Sequence, residues 1–293
     1  MKHKTKCIAI MSPPWAGIES IFSMIDSKIT VIEYNHSQKK FIGTLPLDCS
    51  EIYYIHSMSY WAEQNSQNII ESLAILKSSF PDVKITATIP YLVYPKWKEH
   101  VKKQRALQWA QSTVDNTEDL LIRLLNINSP INLITCDASD FLRNYKKFNI
   151  QHILSFPLFI NKVKERELMF TNIIYLEKDN SWRFLFESIF GKDKINRLGE
   201  IGNINKHSSV LFFIREILTL KSILSLINNI NPGKSFIYVP HLDLPVIEYK
   251  LLGSKLINEI FTTNSINRFK HPKIVDLSLT DEICKNLNLA SFM

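Results

Sequence analysis

A chain of 293 residues with 45% hydrophobic and 22% charged side chains carries enough apolar surface to offset chain entropy, which excludes global disorder and favours two packed lobes over one small core. The formal charge of +7 suits anionic ligands, but it equally describes a lysine-rich solvated surface and decides no function. No apolar run approaches the roughly 18 residues of a membrane span: the most apolar stretch, 210–227, contains Arg215, Glu216 and Lys221, and the run 7–11 stops at Ser12-Pro13-Pro14, short of a signal-peptide core, so no membrane and a cytoplasmic location are expected.

In chain order, residues 7–11, 29–33, 52–56, 85–89 and 133–136 are short runs rich in Ile, Val, Tyr and Phe that read as strands. The same pattern returns at 153–156, 173–176, 210–213, 236–239, 260–263 and 274–277. Between them, Ile69, Leu73, Leu76 and Phe80 form a helical stripe, as do Leu120, Leu121, Leu124 and Leu125 behind a cap at Asn116 or Thr117. Trp182, Leu185, Phe186 and Ile189 predict a third helix, and Ile223, Leu226, Ile227 and Ile230 a fourth. Strands alternating with helices imply mostly parallel sheets flanked by helices, an α/β fold. The polar stretch 143–151 (RNYKKFNIQ) marks a boundary, giving expected domains at 1–146 and 147–293, and 203–209 (NINKHSS) reads as an exposed loop.

Cys7, Cys49, Cys136 and Cys284 are widely separated with no CxxC spacing, so neither a zinc site nor a disulfide framework is signalled, and reduced, mostly buried thiols are expected. Glycine is scarce, seven in the chain, against a usual frequency of roughly 7% of residues. Phosphate cradles use glycine so that backbone N–H groups can approach an anion closely, and neither GxGxxG nor GxxxxGK[ST] occurs here. His56 and His241 fall at strand ends, where a lone histidine is usually structural, and no Ser/His/Asp or Cys/His order suggests a hydrolase.

Residues 68–94 read NIIESLAILKSSFPDVKITATIPYLVY: a helix opening with Asn and Glu three apart, then a strand ending in IPYxxY. This segment resembles the phosphoribosyl-diphosphate (PRPP) synthetase family, where Asn-x-x-Glu opens a helix and Ile-Pro-Tyr-x-x-Tyr leads into a loop over ATP. The likeness continues in order through EIYYIHS (51–57), LITCDASDF (133–141), ILSFPLF (153–159), TNIIYLEKD (171–179), VLFFIREILTLKSI (210–223), SFIYVPH (235–241) and KIVDLSLTDEI (273–283). It implies two phosphoribosyltransferase-like lobes, and assembly as a homo-oligomer or as a hetero-oligomer with an active paralogue.

Diphosphate transfer from ATP to ribose 5-phosphate gathers many negative charges, which Mg²⁺ and cationic side chains must neutralise and align. In the family, two adjacent Asp residues and a later Asp in the PRPP loop hold the ribose, and Thr-x-Gly-Thr meets the 5-phosphate. At the matching positions this chain has Ile214, Arg215, Leu218, Thr219, Lys221 and Ser222. Isoleucine accepts nothing from a sugar hydroxyl, and a β-carbon at the glycine position hinders phosphate approach. The resemblance leaves Thr219, Lys221 and Ser222 as a candidate anion pocket, against a plain strand-to-helix junction.

The metal-binding pattern is thinned in the same way. Asp137 is kept, but the histidine of the family's Asp-Leu-His becomes Ser139. Asp179 matches a second metal-linked Asp, and the two glycines after it become Ser181 and Trp182. Mg²⁺ is therefore weakened rather than excluded, since one or two carboxylates plus substrate phosphates can hold it. The nucleotide motif Phe-x-Asp-Gly-Glu appears as Tyr34-Asn35-His36-Ser37-Gln38, and after IPYLVY the chain has Lys96 and Trp97 as candidates for a phosphate and a base. Lys194, with Lys192 and Arg197 as rivals, is the candidate for the family's catalytic lysine in the shortened stretch 190–203.

These losses lead to the expectation of a PRPP synthetase-like protein that is non-catalytic or regulatory. The alternative is an active phosphosugar or nucleotide enzyme of altered specificity. A nucleic-acid-binding module, resting on the charge and the basic stretch 96–105, is the remaining reading, and nucleic acid is the least expected partner.

Overall fold

In a computed structural model, residues 5–11, 17–24, 29–35, 37–57, 65–91, 132–137, 149–176, 182–200, 204–217, 219–266 and 270–287 are described. Contacts divide the chain into two compact units: residues 1–153 with 265–267 and 279–293, and residues 154–264 with 268–278.

In the first unit, β1 (Thr5–Met11), β2 (Thr30–Asn35), β3 (Lys40–Ile42), β4 (Cys49–Ile55), β5 (Lys84–Thr88), β6 (Asn132–Cys136) and β7 (Asn149–Ile153) form one sheet in the order β3-β2-β1-β4-β5-β6-β7. Every pairing is parallel except β2 with β3. The helices α1 (Ile18–Met24) and α2 (Asn65–Ser79) belong to this unit. On α2 the predicted stripe is the buried one, with Ile69, Leu73 and Leu76 inaccessible and Ser72 sharing a 2.8 Å hydrogen bond with the Tyr54 hydroxyl of β4. Phe80 lies one residue past the helix end and is half-buried.

The hairpin β2–β3 was not predicted, because a three-residue edge strand leaves almost no period-two signal. Its return needs glycine: Gly43 sits at φ +126°, and a β-carbon there would meet Ile32 Cγ2 at 2.9 Å.

The second unit contains β8 (Asn172–Tyr175), β9 (Ile195–Arg197), β10 (Ser209–Phe213), β12 (Lys234–Tyr238), β14 (Glu259–Thr263) and β15 (Ile274–Leu277), a wholly parallel sheet in the order β15-β14-β12-β10-β8-β9. A small parallel pair, β11 (Glu216–Ile217) and β13 (His241–Leu242), extends the chain beyond β10 and β12. The helices are α3 (Phe156–Glu165), α4 (Arg183–Phe190) and α5 (Leu220–Ile230); α6 (Thr280–Asn286) returns to the first unit.

The sheet of this unit is buried on both faces, which explains why its strands read as continuous apolar runs. Ile173, Tyr175, Leu211, Phe213, Phe236 and Tyr238 contribute to one cluster, largely aromatic, packed under α3 and α4. The alternate residues Ile174, Val210, Phe212 and Ile237 belong to a mostly aliphatic cluster under α5. Within the aromatic layer, Phe159 stacks on Tyr238 with ring centroids 4.1 Å apart, and the Tyr238 hydroxyl shares a 2.7 Å hydrogen bond with Ser155 Oγ.

One strand reading is corrected. Residues 153–156 were read as a strand, but β7 ends at Ile153 and α3 begins at Phe156. Pro157 occupies the first turn of α3, where its missing N–H costs nothing and its fixed φ suits the helix, so an apolar string that looked extended turns helical. The predicted stripe 120–125 lies outside the described residues.

Candidate functional site

In open parallel sheets the loops at the carboxyl ends of the strands are where ligands are held. In the second unit, β10 delivers Ile214 and Arg215 to that edge, then β11, then Thr219 and the start of α5. Ile214 is half-buried and packs against the aliphatic cluster. Arg215 is half-buried, and its carbonyl accepts the His241 N–H at 3.3 Å.

The start of α5 is the centre of the site. A helix leaves its first N–H groups without internal partners, and this end of the macrodipole attracts an anion. Thr219 is the N-cap in extended conformation, φ −146° and ψ 126°, but its side chain makes no capping bond to the helix. Its hydroxyl donates instead to Glu248 Oε1 at 2.8 Å, and the Leu220 N–H donates to Glu248 Oε2. One carboxylate thus takes both the hydroxyl and the backbone donor. Ser222 is exposed, with its hydroxyl turned back onto the Thr219 carbonyl at 3.4 Å, and Lys221 is exposed.

Glu248 lies in a 3-10 segment, Val246–Gly253, and its own N–H donates to the Pro245 carbonyl at 2.9 Å. Sequence reasoning missed it. The partners are 28 and 29 residues apart, and nothing in the surrounding VIEYKLLG distinguishes this acid from a solvated one.

The other candidates are more dispersed. Lys192 and Lys194 lie in a 3-10 turn before β9, and the register Ile173↔Ile195 places them toward the amino end of the edge strand. Thr219 follows the carboxyl end of β10, so these lysines are not brought to it by the strand order. Arg197 is level with Tyr175 at the carboxyl end of β8, and its backbone N–H donates to Glu200 Oε2 at 3.2 Å. Trp182, at a family glycine position, is buried and stacks on Phe213 with centroids 5.3 Å apart. Asp179, Lys96, Trp97, Ser139, Ser181 and Leu218 lie outside the described residues.

At the carboxyl edge of the first unit, Asp137 follows β6 in the left-handed region, φ 48°, and is buried. Its N–H donates to the Ile153 carbonyl at 2.8 Å, and Cys136 Sγ donates to its Oδ2 at 3.1 Å. His56 is buried at the end of β4, its N–H bonded to the Thr88 carbonyl at 3.0 Å. Among the described residues no group of three or more His, Cys, Asp or Glu is gathered for a metal ion. The stretch matching the nucleotide motif is the β2–β3 turn. There Asn35 Oδ1 accepts from the Ser37 hydroxyl at 2.7 Å and the Gln38 N–H at 2.9 Å, so its polar groups close a hairpin.

No protein-family profile matches the sequence, and neither does any curated protein. Among solved structures, the phosphoribosylpyrophosphate synthetase from Mycobacterium smegmatis superposes with a TM-score of 0.72 at 14% identity, over 97% of this chain and 98% of that one. The chain has the PRPP synthetase fold. The likeness is one of architecture, and the fold class read from the sequence, mostly parallel sheets flanked by helices, is the one observed. No helix among the described residues is long and apolar enough to cross a membrane.

Proposed function

We propose that this chain is a PRPP synthetase-like protein that does not transfer diphosphate and acts as a non-catalytic or regulatory paralogue. The observation that supports this most directly is the Glu248 carboxylate on Thr219 and Leu220. In the family this loop meets the 5-phosphate with hydroxyl and N–H groups; here those donors are already spent. A phosphate arriving at the same donors would face a like charge, a repulsion of roughly 4 kcal/mol for unit charges about 4 Å apart at an effective dielectric of about 20. The ribose loses its acceptors as well, since Ile214 packs into the core periphery.

Such a protein acts through association, and the proposed partners are further copies of itself or an active paralogue, in the cytoplasm. Mg²⁺ enters this reading only beside a phosphorylated ligand, with Asp179 as one carboxylate, because the ion holds its place through substrate phosphates as much as through protein.

The test combines chemistry with binding. The purified chain is incubated with ATP, ribose 5-phosphate and Mg²⁺ while AMP and PRPP are followed, and its melting temperature is recorded against ribose 5-phosphate, ATP and other phosphosugars. The proposal expects no product and no stabilisation by ribose 5-phosphate. Product formation overturns it. Stabilisation by a different phosphorylated ligand redirects it to the enzyme of altered specificity, because a ligand bound to the folded state raises apparent stability.

A further inference from the structure

Cys7 in β1 and Cys49 at the start of β4 lie on adjacent parallel strands of the first unit, and both are free thiols. The pairing slips between Thr5 and Lys6. Thr5 is level with Cys49, but Lys6 is level with Glu51 and Cys7 with Ile52. This irregularity inserts Ser50 on the β4 side and carries Cys49 toward Cys7. The two sulfurs come to 3.2 Å, with Cys49 Sγ as the donor. A disulfide bond of about 2.05 Å needs them to close by only about 1.2 Å from that 3.2 Å contact.

The two thiols differ in access. Cys7 is inaccessible, whereas Cys49 is half-buried. Burial, with the neighbouring Cys49 adding to it, pushes the Cys7 thiol up to about 12. A soluble oxidant therefore meets Cys49 first, and Cys7 is reached only through its neighbour. The other two cysteines are placed differently: Cys136 Sγ donates to Asp137, and Cys284 is buried, its thiol pushed up to about 11.

We propose that Cys7 and Cys49 close a reversible disulfide in response to a small disulfide oxidant such as oxidised glutathione, tying β1 to β4. In the first step the Cys49 thiolate attacks one sulfur of the oxidant, forming a mixed disulfide and releasing one glutathione thiolate, which takes a proton. In the second, Cys7 gives up its proton to solvent and attacks Cys49 Sγ, releasing the second glutathione. The protein loses two protons and two electrons, and the oxidant becomes two glutathione molecules. The bond closes the chain segment holding β1, α1, β2 and β3 at the amino end of β4, so the sheet becomes covalently pinned in the register already observed.

The test uses the full chain. After treatment with oxidised glutathione and denaturation in acid, free thiols are counted and the linked peptides are mapped by mass. The expected result is a fall from four thiols to two, a Cys7–Cys49 cross-link, and return to four with dithiothreitol. C7S is expected to retain a glutathione adduct on Cys49, because the resolving thiol is gone. In C49S, Cys7 is expected to be modified at least tenfold more slowly than Cys49 is in C7S. Four thiols persisting in the wild-type chain, a bond mapped to Cys136 or Cys284, or equal modification rates at Cys7 and Cys49 in the two single variants would each overturn the proposal.

Discussion

Replacing Glu248 by alanine removes the acceptor for the Thr219 hydroxyl and the Leu220 N–H together. Hydrogen bonds to a charged group are worth about 1.5–3 kcal/mol each, and loss of a helix cap typically costs about 1 kcal/mol. The two bonds share one carboxylate, and water can replace part of what is lost at a half-buried site, so a net cost of about 2 kcal/mol is expected. In a unit of this size that corresponds to a fall in melting temperature of roughly 8 °C. Differential scanning calorimetry of the wild-type chain, E248A, T219V and the double variant gives the pairwise coupling directly, and about 1 kcal/mol is expected between the two positions. Phosphate supplies the same chemistry as the missing carboxylate. Added inorganic phosphate is therefore expected to raise the melting temperature of E248A and leave the wild-type chain within error. A destabilisation below about 0.5 kcal/mol, the range of an ordinary surface change, together with zero coupling to Thr219, would refute the reasoning.

Trp182→Ala removes a buried side chain packed against Phe156, Phe213 and Tyr238, and a loss of about 4 kcal/mol in chemical unfolding is expected, with the cavity adding to the transfer cost. Because Cys7 is held at about 12 and Cys284 at about 11 against a reference of 9.0, the unfolded chain loses those protons first as pH rises. Stability is then complete below about pH 9 and declines above it, by up to about 1.4 kcal/mol per pH unit for each group; in urea titrations the C7S variant is expected to show a shallower alkaline decline than the wild-type chain. The oxidised Cys7–Cys49 form is expected to unfold at higher urea than the reduced form, by at most about 4 kcal/mol from loop closure.

The strands of the second unit were legible because burial on both faces leaves uninterrupted apolar runs such as 210–213 and 236–239. The stripe Ile69, Leu73 and Leu76 was legible for the complementary reason: one face of α2 is buried. The start of α3 was not, since 153–156 (ILSF) reads as a strand until Pro157 is recognised as a first-turn residue. The chemistry of the site was half visible. That Ile214 and Arg215 stand where the resemblance would place acids is a matter of residue type, and residue type is what a sequence shows. What meets the donors at the start of α5 is a matter of proximity. Glu248 reaches Thr219 only because the 3-10 segment after β13 folds back against the start of α5, and Cys49 reaches Cys7 only because β1 and β4 slip past one another by a residue. Contacts of that range leave no periodic trace.

The measurement closest to the central claim is AMP and PRPP formation by the purified chain with ATP, ribose 5-phosphate and Mg²⁺ at saturating concentrations. The account predicts a rate indistinguishable from a protein-free blank. Turnover in the range of about 1–100 s⁻¹, ordinary for phosphoryl-transfer enzymes, would contradict it, and would mean that Glu248 leaves Thr219 and Leu220 when substrate arrives.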